Sequence, residues 1–284
     1  MKSYVGKTVY ITGGSSGIGL AAAKQFAGAG ANVAIFARDQ RKLDAALPLI
    51  EAAKSAAGQR FLAVQLDVGN HAEVDGKMAA TAKNFGAPDI LVNCAGVTWC
   101  HYIEQTPYEE FERMMMTDFF GVRNTVMALL PFMKERGGHI VNISSILGVV
   151  GVFGYAAYCP AKFAVTGFSE VIRGEFKKYN IRVSVLCPPD TDTPQLVDDN
   201  RTKPPETRKI NSNAGLMQPE AVAAAMIKGM EQNKFMIVPG FMNKLTWMMK
   251  RLLPGFVYSV MDSDARKAQR KVQSPESRVQ GPKS

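Results

Sequence analysis

Long apolar runs are missing from this chain of 284 residues. None reaches the roughly 20 residues that a membrane-spanning helix needs, so integral insertion is not expected. The opening stretch MKSYVGKTVYITGG has no basic-then-apolar leader, and no secretory signal is expected. Cysteine is scarce. Cys94, Cys100, Cys159 and Cys187 form no C-x-x-C pair and have no histidine at metal-ligand spacing. They read as reduced thiols of a cytosolic protein, which argues against a disulfide framework or a metal site. Internal repeats are absent, and so are aromatic–basic RNA motifs and recognition helices, so a nucleic-acid partner is not expected.

What is present is ordinary for a soluble domain: 46% hydrophobic and 21% charged residues. The net charge of +9 is unevenly placed. Residues 241–284 carry nine Lys/Arg against Asp262, Asp264 and Glu276, and so hold most of the excess. Such a tail suits an anionic membrane surface or simple solvation.

Apolar runs alternate with helix-like stretches through the first 240 residues. TVYITGG, NVAIFAR, RFLAVQLDV, PDILVNCAG, GHIVNISS, IRVSVLCPP and KFMIVPG read as seven strands. Helices are expected over about 17–30, 40–57, 72–85, 107–134, 158–178 and 219–232. This alternation predicts an α/β fold: a single Rossmann-type, doubly wound parallel sheet with helices on both faces. Residues 1–240 form the domain and about 188–217 a substrate loop. Residues 241–284 form an apolar and basic extension. Its stretch FMNKLTWMMKRLLPGFVYSVM reads as an amphipathic helix pair broken at Pro254 and Gly255, able to lie on a membrane or pack on protein. From Ala265 onward the sequence reads as disordered.

TGGSSGIG follows the first strand directly and opens the first helix, the context a phosphate-binding turn requires. Gly13 allows the tight turn, Gly17 lets the backbone approach a pyrophosphate, and Gly19 permits close helix–strand packing, with Ser15, Ser16 and Ile18 between them. The helix N-terminus offers free N–H groups to the phosphates. The second strand ends in AIFARDQRK. Arg38, with Arg41 and Lys42 nearby, suits a 2′-phosphate and favours NADPH over NADH, whereas Asp39 suits ribose hydroxyls. Asp67 and Val68 are expected to flank the adenine, and Asn93, Ala95 and Gly96 to lie beside the middle of the cofactor.

Tyr158 and Lys162 are four residues apart and share one face of a helix that begins near Tyr158, where Pro160 falls in the first turn. Ser145 closes the fifth strand, on the side of the sheet where ligands bind. The glycine pattern, NCAG, the serine and YxxxK, in this order and spacing over about residues 7–240, resemble the short-chain dehydrogenase/reductase family. The resemblance implies that Tyr158 donates a proton to a carbonyl oxygen as hydride arrives and that Ser145 hydrogen-bonds the same oxygen. It implies further that Lys162 holds the nicotinamide ribose and lowers the tyrosine pKa, that Pro188, Thr191 and Thr193 hold the nicotinamide carboxamide, and that the chain is a homo-oligomer. A free tyrosine, with a pKa of about 10, needs such help to act near neutral pH. Two positions depart from the family pattern. Asp118 stands where a relay asparagine is usual, and Pro189 replaces the glycine after Pro188.

The segment PPDTDTPQLVDDNRTKPPETR has five prolines, five acidic residues and four threonines, and no clear helical or strand period. With EFKKYNIRVSV and FGYAAYCPAKFA, it resembles the branch of that family formed by the 3-ketodihydrosphingosine reductases of sphingolipid synthesis. That likeness implies an NADPH-dependent reduction of a long-chain keto-lipid and peripheral contact with the cytosolic face of a membrane. The loop would close over nicotinamide and acyl chain, with Asp190, Asp192, Asp198 and Asp199 as candidates for a substrate ammonium. The other reading is a reductase of the same family acting on a 3-oxoacyl thioester, a steroid or a small ketone.

Overall fold

The computed structural model describes residues 3–211 and 215–273. Seven strands form one parallel sheet in the order β3-β2-β1-β4-β5-β6-β7. They are β1 (Thr8–Thr12), β2 (Asn32–Ala37), β3 (Phe61–Gln65), β4 (Ile90–Asn93), β5 (Gly138–Ile143), β6 (Ile181–Leu186) and β7 (Met236–Ile237). Strand order reverses between β1 and β4, which opens a crevice at their C-terminal ends.

Both faces of the sheet are apolar because each is covered. Val9 and Ile11 of β1 face one layer and Tyr10 faces the other. The first layer holds α1 (Gly17–Gly28), α2 (Gln40–Glu51) and α9 (Pro219–Glu231), and it buries Phe26, Leu43 and Met226. The second holds α3 (His71–Asn84), α5 (Gly121–Met133) and α6 (Tyr158–Glu175), and it buries Met78, Leu129 and Ile172. α4 (Tyr108–Met114) runs into α5 through a π-helical turn, Met115–Phe120, which contains Asp118. α2 stops at Glu51, short of its predicted end. The Gln59 amide takes over there, accepting from the N–H groups of Ser55 and Ala56 and donating to the carbonyls of Ala27 and Ala31.

Two expectations are corrected. The segment after β6 is largely helical, forming α7 (Pro194–Thr202) and α8 (Pro205–Asn211). Thr193 caps α7 by accepting from the N–H of Leu196 at 3.4 Å. Pro194 and Pro205 sit at the first helical positions, where a missing N–H costs nothing, so these prolines start helices and do not forbid them. The C-terminal segment folds into α10 (Phe241–Leu252) and α11 (Pro254–Gln273), so residues 265–273, expected to be disordered, are helical. Residues 274–284 lie outside the described residues. α11 packs against α8, which joins the extension to the segment that follows β6. Phe241, Leu252, Leu253 and Phe256 remain exposed, and among the described residues no helix is long and apolar enough to cross a membrane.

His139 on β5 shows how tightly the far end of the sheet is sealed. The Ser184 hydroxyl gives its single proton to the carbonyl of Lys234, so it accepts the hydrogen bond from His139 Nε2 at 2.8 Å. Burial pushes the His139 pKa down to about 4, with Arg182 acting in the same direction. A neutral buried imidazole contributes stability that is complete above the unfolded value of about 6.5 and is lost as pH falls through the folded value. About 3 kcal/mol should disappear between these limits. Urea midpoints measured across that window should show a flatter acid limb in His139→Gln, and an unchanged slope would remove His139 as the cause.

Candidate active site

A cavity of about 300 Å³ lies at the strand-order reversal, at the C-terminal ends of β1, β4, β5 and β6. The glycine turn forms one wall. Gly13 (φ +69°) and Gly17 (φ +52°) occupy the left-handed region, where a side chain is strained. A Cβ on Gly13 would lie 2.8 Å from the backbone N of Ala95, and one on Gly17 would lie 2.9 Å from Thr193 Cγ2. A Cβ on Gly19 would lie 2.3 Å from the carbonyl oxygen of Gly13, so α1 can rise from the turn only with glycine there. Gly13, Ser15, Ser16, Gly17 and Ile18 line the cavity, while Gly19 packs behind them. The sequence reading overlooked Thr12, whose Oγ1 accepts from the N–H groups of Cys94 and Ala95 and so ties NCAG to β1.

At the far end the cavity is lined by Arg38, Asp39, Lys42 and Val68. Asp39 serves as the N-cap of α2, accepting from the N–H of Lys42 at 3.3 Å. Arg38 is exposed, and its carbonyl accepts from Gln65 Nε2. Asp67 turns into its own loop and accepts from the N–H of Gly69. Asn93 is buried against Asn142 and Thr125 and does not line the cavity, unlike its neighbours Ala95 and Gly96. A glycine cradle, a helix N-terminus and a basic end together fit a dinucleotide.

The candidate reacting groups meet at the other end. Ser145 leaves β5 and hydrogen-bonds the Tyr158 hydroxyl. Lys162, one turn further along α6, is buried. Its Nζ lies 5.4 Å from the centre of the Tyr158 ring and 3.3 Å from the carbonyl oxygen of Ile143. Asp118 projects from the π-helical turn behind the lysine. Its Oδ1 accepts from the N–H of Val97 at 2.8 Å, and its Oδ2 stands 3.6 Å from Lys162 Nζ with no hydrogen-bond partner among the described residues.

Burial lifts the Asp118 carboxyl above its usual range, while Lys162 and the Val97 N–H pull it down. Burial also pushes Tyr158 well above its ordinary value, Asp118 adds to this, and the Ser145 hydrogen bond opposes it. The net direction for Tyr158 is upward, against the expected lowering, with burial as its largest cause.

Residues after β6 close the cavity. Pro188, Asp190, Thr191 and Thr193 all line it. Tyr155 and Asp199 line it too. Asp199 is buried and accepts from the hydroxyls of Tyr155 (2.7 Å) and Thr98 (2.9 Å) while pairing with buried Lys203 at 3.0 Å. Tyr155, Thr98 and Lys203 escaped the sequence reading, since no motif marks them and only the docking of α7 brings them together. Asp198 is exposed beside Arg201, and Asp192 accepts from Gln218.

The short chain dehydrogenase family model matches residues 7–204. A Danio rerio protein named 3-dehydrosphinganine reductase is 39% identical over 232 residues, covering 81% of this chain and 70% of its own. A Dictyostelium discoideum protein named 3-ketodihydrosphingosine reductase is 35% identical over 274 residues, with 90% and 81% covered. Among solved structures, a short chain dehydrogenase/reductase from Burkholderia phymatum in complex with NAD superposes with a TM-score of 0.77 at 24% identity, covering 88% of this chain and 95% of that one.

Proposed function

The chain belongs to the short chain dehydrogenase family, and from that premise we propose that it reduces the 3-keto group of 3-ketodihydrosphingosine to the alcohol, using NADPH. The observation that carries the chemistry is one cavity with Ser145, Tyr158 and Lys162 at one end and a dinucleotide cradle along its wall. The names of the sphingoid reductases, at 35–39% identity, support the substrate.

The nicotinamide cofactor, when bound, supplies a hydride to the carbonyl carbon. Everything else falls to the chain. The glycine turn and the N-terminus of α1 hold the pyrophosphate. Arg38 and Lys42 hold the 2′-phosphate, and the engagement of Asp39 as a helix cap supports NADPH over NADH. Pro188, Thr191 and Thr193 border the nicotinamide. Ser145 donates a hydrogen bond to the substrate carbonyl oxygen, and Tyr158 transfers its proton there as negative charge develops. A neutral tyrosine, held protonated by burial, is the form that donation requires. Lys162 holds the ribose and, with Asp118 behind it, returns a proton towards Tyr158.

The test is the decay of reduced-nicotinamide absorbance with 3-ketosphinganine, beside an acetoacetyl thioester, with NADPH and NADH. Turnover of the sphingoid ketone with NADPH is expected. Arg38→Leu should weaken NADPH binding by about tenfold and leave NADH nearly untouched. Turnover of the thioester alone would transfer the same mechanism to another ketone, and an Arg38→Leu variant that keeps its NADPH preference would return the cofactor choice to other residues.

A further inference from the structure

The cavity presents two carboxylates on its substrate side, Asp190 and Asp199, and buried Lys203 stands behind Asp199 without lining it. Lys203 is committed to Asp199 at 3.0 Å, and Tyr155 and Thr98 complete the shell of that carboxylate. Asp190 has no cation within ion-pair distance among the described residues. Its side chain takes a hydrogen bond from Asn211, and Lys203 acts on it only at longer range. Burial raises its pKa, Lys203 opposes this from beyond ion-pair distance and Asp199 adds to it, so Asp190 faces the cavity without an ion pair of its own.

The position of Asp190 follows from the sheet. β5 and β6 pair in parallel up to Ile143 and Leu186, and the Ile146 N–H donates to the carbonyl of Pro188 at 3.0 Å. The two chains therefore leave the sheet side by side, one carrying Ser145 and the other Asp190. In an α-amino ketone the amine sits on the carbon next to the carbonyl. A group that reads this amine must stand beside the hydroxyls that hold the carbonyl oxygen. Of the four acidic residues singled out in this segment, only Asp190 both faces the cavity and lacks an ion pair. Asp198 is paired with Arg201 at the surface, Asp192 is exposed and bonded to Gln218, and Asp199 is taken.

We propose that Asp190 is the specificity-determining residue that receives the cationic amino group of the substrate, with the Asp199–Lys203 pair fixing α7 beside it. The assignment rests on the sphingoid reading above and deepens it. It makes the enzyme selective for ketones with a free α-amino group over neutral ketones of the same chain length.

Wild type, Asp190→Asn and Asp190→Glu should be compared on 3-ketosphinganine and on its N-acetylated, uncharged counterpart. Asp190→Asn is expected to raise KM for the free amine roughly 30-fold, with kcat changed little. KM for the acetylated ketone should stay within about twofold, and Asp190→Glu should recover part of the selectivity. Equal losses on both ketones would reduce Asp190 to a loop-positioning residue and overturn the proposal, as would no loss on either. The wild-type rate separates the two levels: failure to turn over either sphingoid ketone overturns the functional reading and this assignment with it, whereas turnover without charge selectivity overturns the assignment alone.

Discussion

Replacing Tyr158 by phenylalanine should lower turnover by about 10²- to 10⁴-fold while the protein still binds its nicotinamide cofactor. The size follows from what the hydroxyl does. In the proposed mechanism its proton neutralises the alkoxide as it forms, and the neighbouring hydroxyls among the described residues are committed elsewhere. Ser144 points its Oγ to the carbonyl of Lys162 and to Thr166, and the Tyr155 hydroxyl donates to Asp199. Ser145 is the partner of the tyrosine and, in the proposed cycle, ends with the proton it began with. Phenylalanine fills the same space, so stability should change by only about 1 kcal/mol for the lost hydrogen bond to Ser145. Single-turnover rates and cofactor titration would be measured together. A variant that retains turnover within tenfold would sink Tyr158 as the proton donor, and one that fails to bind cofactor would show that the ring itself shapes the site.

Lys162→Met carries the other large effect, and it strikes activity and stability at once. Turnover should fall at least about 100-fold, because the ribose contact and the proton return proposed for Lys162 would both be lost. Methionine also leaves the Asp118 carboxylate wholly buried, with the Val97 N–H as its one hydrogen-bond donor among the described residues. Breaking a buried pair on one side costs about 3–5 kcal/mol. The sign of its pH dependence is fixed by the direction of the Asp118 shift. A carboxyl raised above its unfolded value favours the folded state when protonated and penalises it when ionised. The deficit of Lys162→Met should therefore be greatest near neutral pH and shrink as pH falls towards the ordinary carboxylate range. Adding Asp118→Asn removes the stranded charge, so the double variant should regain most of the stability and none of the turnover. Denaturant midpoints at several pH values check this. A double variant no more stable than Lys162→Met would mean that Asp118 is not the group penalised.

Asp118 also shows where reading a sequence stops. Its distance along the chain from Lys162 says nothing of their contact. The pair exists because the helix carrying Asp118 widens into a π turn and lies across α6. The tail gave a similar lesson: its apolar, basic pattern fitted a membrane or a protein face equally, and the packing of α11 on α8 places one side of it on protein.

The alternation of apolar runs with helical stretches determined the parallel sheet, because strands buried on both faces must be apolar throughout and each crossover needs a helix. The glycine turn was legible for the same local reason: positive φ and close backbone approach admit glycine and little else. Tyr158 and Lys162 were legible because i and i+4 share a helix face wherever the helix lies. Asp118 was legible only as the family's relay position, and Asp190 and Asp199 only as acidic candidates in one segment. Their contacts were not legible: Asp118 behind the lysine, Thr12 under NCAG and the Asp199–Lys203 pair are separated in sequence from what they serve. Only tertiary packing brought these groups together or left Asp190 without an ion pair, since burial and long-range electrostatics depend on which elements dock and not on the residues beside them.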